Sequence, residues 1–290
     1  MKSDSKIKSL AYKIANWIVP DSIFIRLKYK NAFGCWPNLK DPKTFNEKLS
    51  WLKLHDHNPL YTVMVDKYEA KRYIAGIIGE EYIIPTYGIW DKAEDIDFDT
   101  LPNKFVLKAT HDSGRVIICK DKSTLDKSMA IAEMRKSLCR NFYAVTREWP
   151  YKNVKPRIIS EHLLEVADSD SSINDYKFFC FNGRVEFMKI DFDRNTFHRA
   201  NYYDRNFKLL EFGEEEFPPD STRSVDKPVC FEQMITLAEK IAKKIRFVRV
   251  DFYEINGHVF FGESTFYPAS GVGRFTPLSA DFEIGKLLRL

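Results

Sequence analysis

The segment FVRVDFYEINGHVFFGEST, residues 247–265, carries the clearest fold information in the chain. It contains two runs rich in Val, Phe and Tyr, which favour β-strands, and Asn256-Gly257 between them is a strong hairpin-turn signal. A similar hairpin is predicted where Tyr176–Phe181 and Val185–Ile190 flank Asn182-Gly183. Helical periodicity covers several other segments. The pattern therefore predicts an α+β fold in which helices pack on antiparallel sheets.

The C-terminal hairpin also carries charged side chains, which are costly in an apolar strand unless they are paired or bind a metal. A two-residue turn, with Ile255 opposite His258, would put Asp251 and Glu263 on opposite faces. A three-residue loop, with Glu254 opposite His258, would put both carboxylates on one face beside the neighbouring arginine. We expect the three-residue loop, because only that register builds a divalent-cation site, and oxygen ligands favour Mg²⁺. A surface cluster of arginine and carboxylates is the alternative.

Composition excludes several classes of protein. The chain has 290 residues, which is enough for one large domain or for two lobes that share a cleft. Its 45 basic and 41 acidic residues leave a net charge of only +4, so no nucleic-acid partner is expected. The five cysteines form no C-x-x-C motif, which argues against structural zinc. No apolar run reaches the roughly 18 residues of a membrane span, and no secretory signal is evident. The expected compartment is the cytoplasm.

Residues 5–19 predict a basic amphipathic helix that contains Trp17 and ends at Pro20. Such a helix could dock on its own domain, or it could lie on an anionic membrane surface. The second interpretation would place the protein at the inner face of the membrane.

A candidate phosphate site precedes these hairpins. Lys108 ends an apolar strand, and the turn His111–Gly114 could direct backbone N–H groups at a phosphate while the lysine neutralises it. Further along, Asp175 and Lys177 lie on one face of a predicted strand. A second lysine could therefore reach the same phosphates.

Several short motifs occur in a characteristic order: Asp66-Lys67-Tyr68, Pro85–Gly88, Leu101–Lys108, His111–Gly114, Glu161–Leu164, Asp175–Phe178, Arg249–Asp251 and Gly262–Phe266. Together they resemble the TupA-like branch of the ATP-grasp superfamily, over roughly residues 67–273. That branch is associated with teichuronopeptide and other bacterial surface polysaccharides. The resemblance implies an ATP-grasp fold, with a nucleotide between two lobes of antiparallel sheet and helices. The implied organisation is a helical N-terminal region (1–58), the N-terminal part of the grasp fold (59–104), a small ATP-binding lobe (105–165) and a large catalytic lobe (166–290).

The resemblance also implies roles for individual residues. The implied phosphate-binding residues are Lys67 and Lys108, together with His111, Ser113 and Gly114 of the phosphate loop. The implied adenine-binding strand, which acts largely through its backbone, comprises Glu161, His162, Leu163 and Leu164. Asp168 is implied to contact the ribose. The implied catalytic and metal set comprises Lys177 and Arg249 at the γ-phosphate and acyl phosphate, and Asp251, Glu263 and Thr265 at Mg²⁺.

The sequence departs from the superfamily pattern at two of these places. Thr265 stands where a third metal ligand is usually Asn, and a hydroxyl coordinates Mg²⁺ more weakly. Asp112 stands in the phosphate loop where a small residue is common. Its carboxylate would repel phosphate unless it turns outward or pairs with Arg115.

The function implied is ATP- and Mg²⁺-dependent ligation of a carboxylate to an amine through an acyl phosphate. The expected partners are ATP, a carboxylated sugar or glycan, and an amino acid or amine. Arg194, His198 and Arg199 form a basic, aromatic segment that could bind a substrate carboxylate. One alternative is a metal-dependent glycosyltransferase that uses the D-x-D sequence Asp191–Asp193. A catalytically inactive nucleotide- or glycan-binding relative is the other.

Overall fold

A computed structural model of the protein describes residues 19–165, 173–193, 196–223 and 225–290. The predicted helix over 5–19, except for its last residue, lies outside this part of the chain, as do Asp168 and Arg194. No helix among the described residues is long and apolar enough to cross a membrane.

The described residues form helices and antiparallel sheets, which confirms the predicted α+β class. The helices are α1 (Asp21–Phe33), α2 (Phe45–His55), α3 (Pro59–Val65), α4 (Glu69–Ile78), α5 (Lys127–Leu138), α6 (Phe142–Thr146), α7 (Phe231–Ala242) and α8 (Ser279–Leu287). The strands are β1 (Thr86–Trp90), β2 (Phe105–Ala109), β3 (Val116–Cys119), β4 (Ile158–His162), β5 (Asp175–Phe181), β6 (Arg184–Phe192), β7 (Arg199–Asp204), β8 (Gly213–Glu214), β9 (Phe247–Ile255), β10 (His258–Thr265) and β11 (Phe275–Thr276).

Four strands form a small antiparallel sheet in the order β1-β4-β2-β3. Alternate residues of β2, including Phe105 and Leu107, are fully buried and pack with Met134 of α5 in a separate small core. Strand β1 lies in the predicted 59–104 segment and completes this sheet. The domain boundaries themselves stay predictions.

Five strands form the larger antiparallel sheet in the order β10-β9-β5-β6-β7. One face is apolar, and there Phe178 and Val250 pack in the main core with Phe231 and Met234 of α7. The other face carries a charged cluster, because Glu263, Asp251, Lys177 and Lys189 occupy directly opposed positions on four adjacent strands. The same face also carries Phe179, Phe181 and Phe247, which are buried in the main core. Alternation along the strands thus gives one apolar face and a second face that combines charged and apolar side chains.

The N-terminal helices pack against the large lobe. Helix α2 begins at a capping box, in which the Thr44 side chain accepts from the Glu47 amide and Glu47 accepts from the Thr44 amide. The Asn46 amide and side chain both donate to Asp281 of α8, at 3.1 and 3.0 Å. These contacts fix α2 beside the C-terminal helix.

The register of the C-terminal hairpin differs from the one expected. Ile255 lies opposite His258, with φ of +52° at Asn256 and +74° at Gly257, so the predicted three-residue loop is wrong. The turn has two residues, both in the left-handed region that suits an Asn-Gly pair. A β-bulge between Phe261 and residue 263 then shifts the pairing by one position. The two-residue turn alone would place the two carboxylates of the hairpin on opposite faces, but the bulge brings them opposite each other.

Candidate active site

A narrow cleft, with a free volume of about 10 Å³, lies where α3, α4, β4 and β10 approach one another. Six of its lining residues carry polar or charged side chains: Lys67, Lys71, Tyr151, Glu161, Glu263 and Ser264. These residues come from four separate segments of the chain. The cleft is therefore a product of the tertiary structure, and it brings the C-terminal hairpin beside α4 and β4.

Glu161 holds two lysines at one wall of this cleft. It is almost completely buried, and its carboxylate pairs with the Lys71 ammonium at 2.7 Å and with the Lys108 ammonium. Burial opposes ionisation of Glu161, but Lys108 and Lys71 outweigh it and hold the pKa of the carboxyl below its ordinary value. The resemblance assigned this residue a largely backbone role, whereas its side chain organises the cations of the cleft.

Lys71 was missed by the sequence reasoning, although a signal for it was present. It lies four residues after Lys67, in the first turn of α4, which begins at Glu69. Such a spacing directs two side chains toward the same side of a helical segment. Lys67 itself donates to the Asp112 carbonyl at 2.5 Å. Burial lowers the pKa of Lys67, while the nearby Glu263 opposes that shift.

The phosphate loop is organised by Arg140. Its guanidinium pairs with the buried Asp112 carboxylate at 3.1 Å and donates to the Ser113 carbonyl at 3.0 Å. Arg115, one of the two possibilities that the sequence left open for Asp112, instead pairs with Glu133 of α5 at 2.7 Å. Arg140 takes its place, because the helix that follows β3 returns to the loop and presents Arg140 from just beyond its C-terminal end.

The other loop residues have distinct surroundings. His111 is buried, its Nε2 lies 3.1 Å from the Arg140 carbonyl, and its Nδ1 has no partner within the described ranges. Burial lowers the pKa of the His111 imidazole. Gly114 has φ of +98°, a left-handed conformation that disfavours any side chain. The Ser113 amide donates to Asp112 at 2.7 Å.

The predicted metal ligands lie together on the face of the large sheet that carries the charged cluster. Both Asp251 oxygens accept from Arg249, at 2.7 and 2.6 Å, and the same guanidinium lies 3.4 Å from Glu263 and 3.1 Å from the Thr265 hydroxyl. Burial raises the pKa of Asp251 to about 7, and Arg249 only partly opposes this shift. Glu263 is the exposed carboxylate of the pair, with 47% of its side chain accessible to solvent.

Lys177 connects this cluster to the next strands. It lies opposite Asp251 in the β5–β9 ladder, and its ammonium pairs with Asp175 and, at 2.7 Å, with Asp191. His198 Nε2 lies 3.0 Å from Asp191, and its ring packs on Phe217 with centroids 4.0 Å apart. Contacts therefore run from the carboxylate pair to one of the predicted substrate residues.

The remaining predicted residues are less closely joined to the cleft. Arg199 donates to the Pro219 carbonyl at 3.3 Å and is solvent-accessible. At the end of β4, the His162 amide donates to the Pro85 carbonyl at 2.9 Å, and Nδ1 of its exposed side chain lies 2.7 Å from the Tyr87 hydroxyl. Leu163 and Leu164 follow β4 and are half-buried.

The predicted ligands are compatible with Mg²⁺, but they could not fill its coordination shell without substrate oxygens or water. Among residues 19–165, 173–193, 196–223 and 225–290, no group of three or more His, Cys, Asp or Glu side chains could hold a metal. Asp251 and Glu263 supply two carboxylates, and Mg²⁺ usually binds through one or two carboxylates together with substrate phosphates and water. The residues present therefore fit this ion.

Solved structures with a related fold include amino-acid ligases. One is the D-alanine–D-alanine ligase from Bacillus anthracis complexed with ATP, at 15% identity and a TM-score of 0.41, where the alignment covers 70% of this chain and 54% of that one. Another is the enzyme from Helicobacter pylori, at 14% identity and a TM-score of 0.43, covering 84% and 69%. The N5-carboxyaminoimidazole ribonucleotide synthetase from Thermus thermophilus matches at 10% identity and a TM-score of 0.38, covering 70% and 45%.

The chain thus spans about half of the first ligase, and these likenesses concern the fold alone. No curated protein sequence matches the chain. A family model described as TupA-like ATPgrasp matches residues 47–289, which is most of the chain. This match confirms the family resemblance and the ATP-grasp fold expected from the sequence motifs. The chain belongs to the TupA-like ATP-grasp family.

Proposed function

We propose that the protein is an ATP- and Mg²⁺-dependent carboxylate–amine ligase that works through an acyl phosphate. The observation that carries this proposal is the arrangement of the cleft. Lys67 and Lys71 line the cleft together with Glu263, and Glu161 binds both Lys71 and Lys108. Glu263 lies opposite Asp251 and beside Arg249. An arrangement of cations beside a metal-binding carboxylate pair suits a triphosphate better than it suits a neutral ligand.

The proposed chemistry matches the residue types. A carboxylate that attacks a γ-phosphate is one anion approaching another, so the reaction needs positive charge and positioning more than it needs a general acid or base. The three lysines would bind phosphate oxygens, and Arg249 would stabilise charge on the transferred group. Bound Mg²⁺ would be held by Asp251 and Glu263 beside Thr265, where it would neutralise phosphate oxygens.

The substrate is proposed from chemistry and from the family. The TupA-like branch is associated with bacterial surface polysaccharides, some of which contain uronic acids. Such an acid provides the carboxylate to be activated, and an amino acid or amine would provide the nucleophile. His198 and Arg199 lie near the aromatic Phe217 on the same lobe, and they could bind the carboxylate of a sugar or an amino acid.

The test measures ADP release with Mg-ATP, a panel of uronic acids and a panel of amino acids. Glu263→Ala should abolish amine-dependent ADP release while the thermal unfolding midpoint stays within a few degrees. The matched control is Glu232→Ala, because Glu232 is 72% exposed on α7, against the opposite face of the sheet. Unchanged turnover in Glu263→Ala would remove the metal assignment.

A second candidate is a relative that binds nucleotide without catalysis. It is favoured by the bidentate Asp251–Arg249 pair together with Thr265 in place of a stronger ligand. Stabilisation by Mg-ATP without ADP release from any pair of substrates would support it. Stabilisation by a UDP-sugar with Mn²⁺ would instead favour a glycosyltransferase, although Asp191 of its D-x-D sequence is already bound by Lys177 and His198.

A further inference from the structure

The segment between α6 and β4 contains no motif that the sequence identifies. Residues Trp149–Asn153 form a 3₁₀ turn that packs beside α3. Trp149 stacks on His57, with ring centroids 5.0 Å apart, and the preceding Glu148 is buried. The turn is thus held firmly at the wall of the cleft, where it presents the next aromatic side chain, Tyr151.

Tyr151 lies between the phosphate loop and the carboxylate pair. It lines the same cleft as Lys67 and Glu263, and its ring packs edge-on against Phe142, with centroids 4.6 Å apart. Burial raises the pKa of Tyr151 far above its ordinary value, and the nearby carboxylates, including Glu263, add to the shift. The phenol is therefore a neutral hydrogen-bond donor throughout the physiological pH range.

The Tyr151 hydroxyl has no hydrogen-bond partner in the described part of the chain. Other tyrosines nearby are satisfied: the Tyr143 hydroxyl donates to Asp21 at 2.5 Å, and the Tyr61 hydroxyl lies 3.3 Å from Asp56. The hydroxyl therefore faces a cleft that contains Lys67 and Lys71 beside Glu161 and Glu263, and it has no protein acceptor there. Such a donor is suited to a ligand whose anionic groups also reach the two lysines.

We propose that the Tyr151 hydroxyl donates a hydrogen bond to the terminal phosphate of the bound nucleoside triphosphate. This inference rests on the proposed function, since it assumes that the cleft binds ATP. In this proposal the terminal phosphate binds beside Lys67 and Glu263, where Tyr151 also lines the cleft, so the hydroxyl distinguishes a triphosphate from a diphosphate. Tyr151 adds a donor there without adding charge, and the segment Glu148–Asn153 becomes part of the nucleotide site.

The test compares nucleotide affinities by calorimetry on the full chain in the presence of Mg²⁺. The probes are the non-hydrolysable ATP analogue AMPPNP, ADP and AMP. Tyr151→Phe keeps the ring against Phe142 and removes only the hydroxyl, so AMPPNP should bind about tenfold more weakly. The affinities for ADP and AMP should change less than about twofold.

The matched control is Tyr143→Phe, which deletes a hydroxyl of the neighbouring helix that contacts Asp21 rather than the cleft. It should leave all three affinities unchanged. An equal loss for the three nucleotides in Tyr151→Phe would indicate a structural role and overturn the inference, as would no loss at all. If the wild-type protein binds none of the nucleotides, the proposed function fails as well. Wild-type binding with an unaffected variant removes only the role of Tyr151.

Discussion

Glu263 lies directly opposite Asp251 in the β9–β10 ladder, although the hairpin turn alone would place Glu263 opposite Val250. The bulge at Gly262 accounts for the difference, because one extra residue on β10 shifts every later pair by one position. A one-residue shift moves a side chain to the other face of the sheet. The carboxylate pair of the candidate site therefore depends on a bulge that contains no charged residue.

Gly262→Ala should weaken Mg-ATP binding about tenfold and lower the free energy of unfolding by about 1–2 kcal/mol. An added Cβ would lie 3.1 Å from the Asp251 carbonyl and 3.1 Å from the Tyr253 ring. Relief of this contact must move β10 relative to β9, which separates the carboxylates. Calorimetric titration and chemical denaturation measure the two effects.

Gly76→Ala is the control, because Gly76 lies within α4 and an added Cβ there has no neighbour within 4 Å. It should raise the free energy of unfolding by up to about 1 kcal/mol and leave nucleotide binding unchanged. Equal Mg-ATP affinity in wild type and Gly262→Ala would show that the bulge does not set the geometry of the pair.

Thr265→Asn should lower the Mg²⁺ concentration needed for half-maximal ATP turnover. An amide oxygen is a stronger ligand than a hydroxyl, and the Thr265 side chain already lies 3.5 Å from Glu263. Thr265→Val removes the ligand oxygen at nearly constant volume, so it should raise the required Mg²⁺ concentration. Magnesium titrations of initial rates measure both changes, and identical curves for all three proteins would exclude Thr265 from the metal site.

Arg140→Met should weaken ATP binding several-fold, because it leaves the Asp112 carboxylate of the phosphate loop without its 3.1 Å guanidinium partner. Asp112→Asn in the same background should restore much of the affinity, since it removes the repulsion. The double-mutant cycle isolates this coupling from the general loss of a positive charge.

Arg115→Met tests the Arg115–Asp112 pairing, one of the two possibilities that the sequence left open. Arg115 contacts Glu133 and not Asp112, so this variant should bind ATP within about twofold of wild type. A larger loss in Arg115→Met than in Arg140→Met would reverse the assignment.

The buried Lys53 predicts a pH dependence of stability. Its ammonium donates to the Thr146 and Ser270 carbonyls at 2.9 Å, and burial lowers its pKa to about 7, against the attraction of Glu148. Between about pH 7 and its ordinary pKa near 10.5, the unfolded chain holds a proton that the folded chain has released. The contribution of Lys53 to the free energy of unfolding therefore rises with pH in this window, by at most about 1.4 kcal/mol per pH unit.

Lys53→Met should remove this rise, so that denaturation curves at pH 7 and 9 differ less in the variant than in wild type. At neutral pH the variant should lose about 3 kcal/mol, because Glu148 stays buried without its partner. Adding Glu148→Leu should recover most of that loss. If Lys53→Met is as stable as wild type at every pH, then the Lys53–Glu148 pair contributes nothing to the free energy of unfolding.

Local patterns predicted the elements that carry most of the site. The turn at Asn182-Gly183 has the positive φ values that such a pair predicts, as does the turn at Asn256-Gly257. Short helices such as α3 and α6 have no distinct apolar stripe, so periodicity does not predict them. Their stability comes from packing on the rest of the chain, which leaves little periodicity to read.

The amino-acid sequence by itself determined which residues are available: the ordered motifs, the α+β class, the family, and the charged groups of the last hairpin. Only the tertiary structure decided which of them meet. Asp112 pairs with Arg140 and not with Arg115, which is nearer in the sequence. Lys71 and Lys108 both bind Glu161. Tyr151 lines the cleft although its segment contains no motif. The physical reason is that strand registers and charge pairs depend on distances between segments far apart in the chain, and those distances are set by the packing of two sheets and their helices.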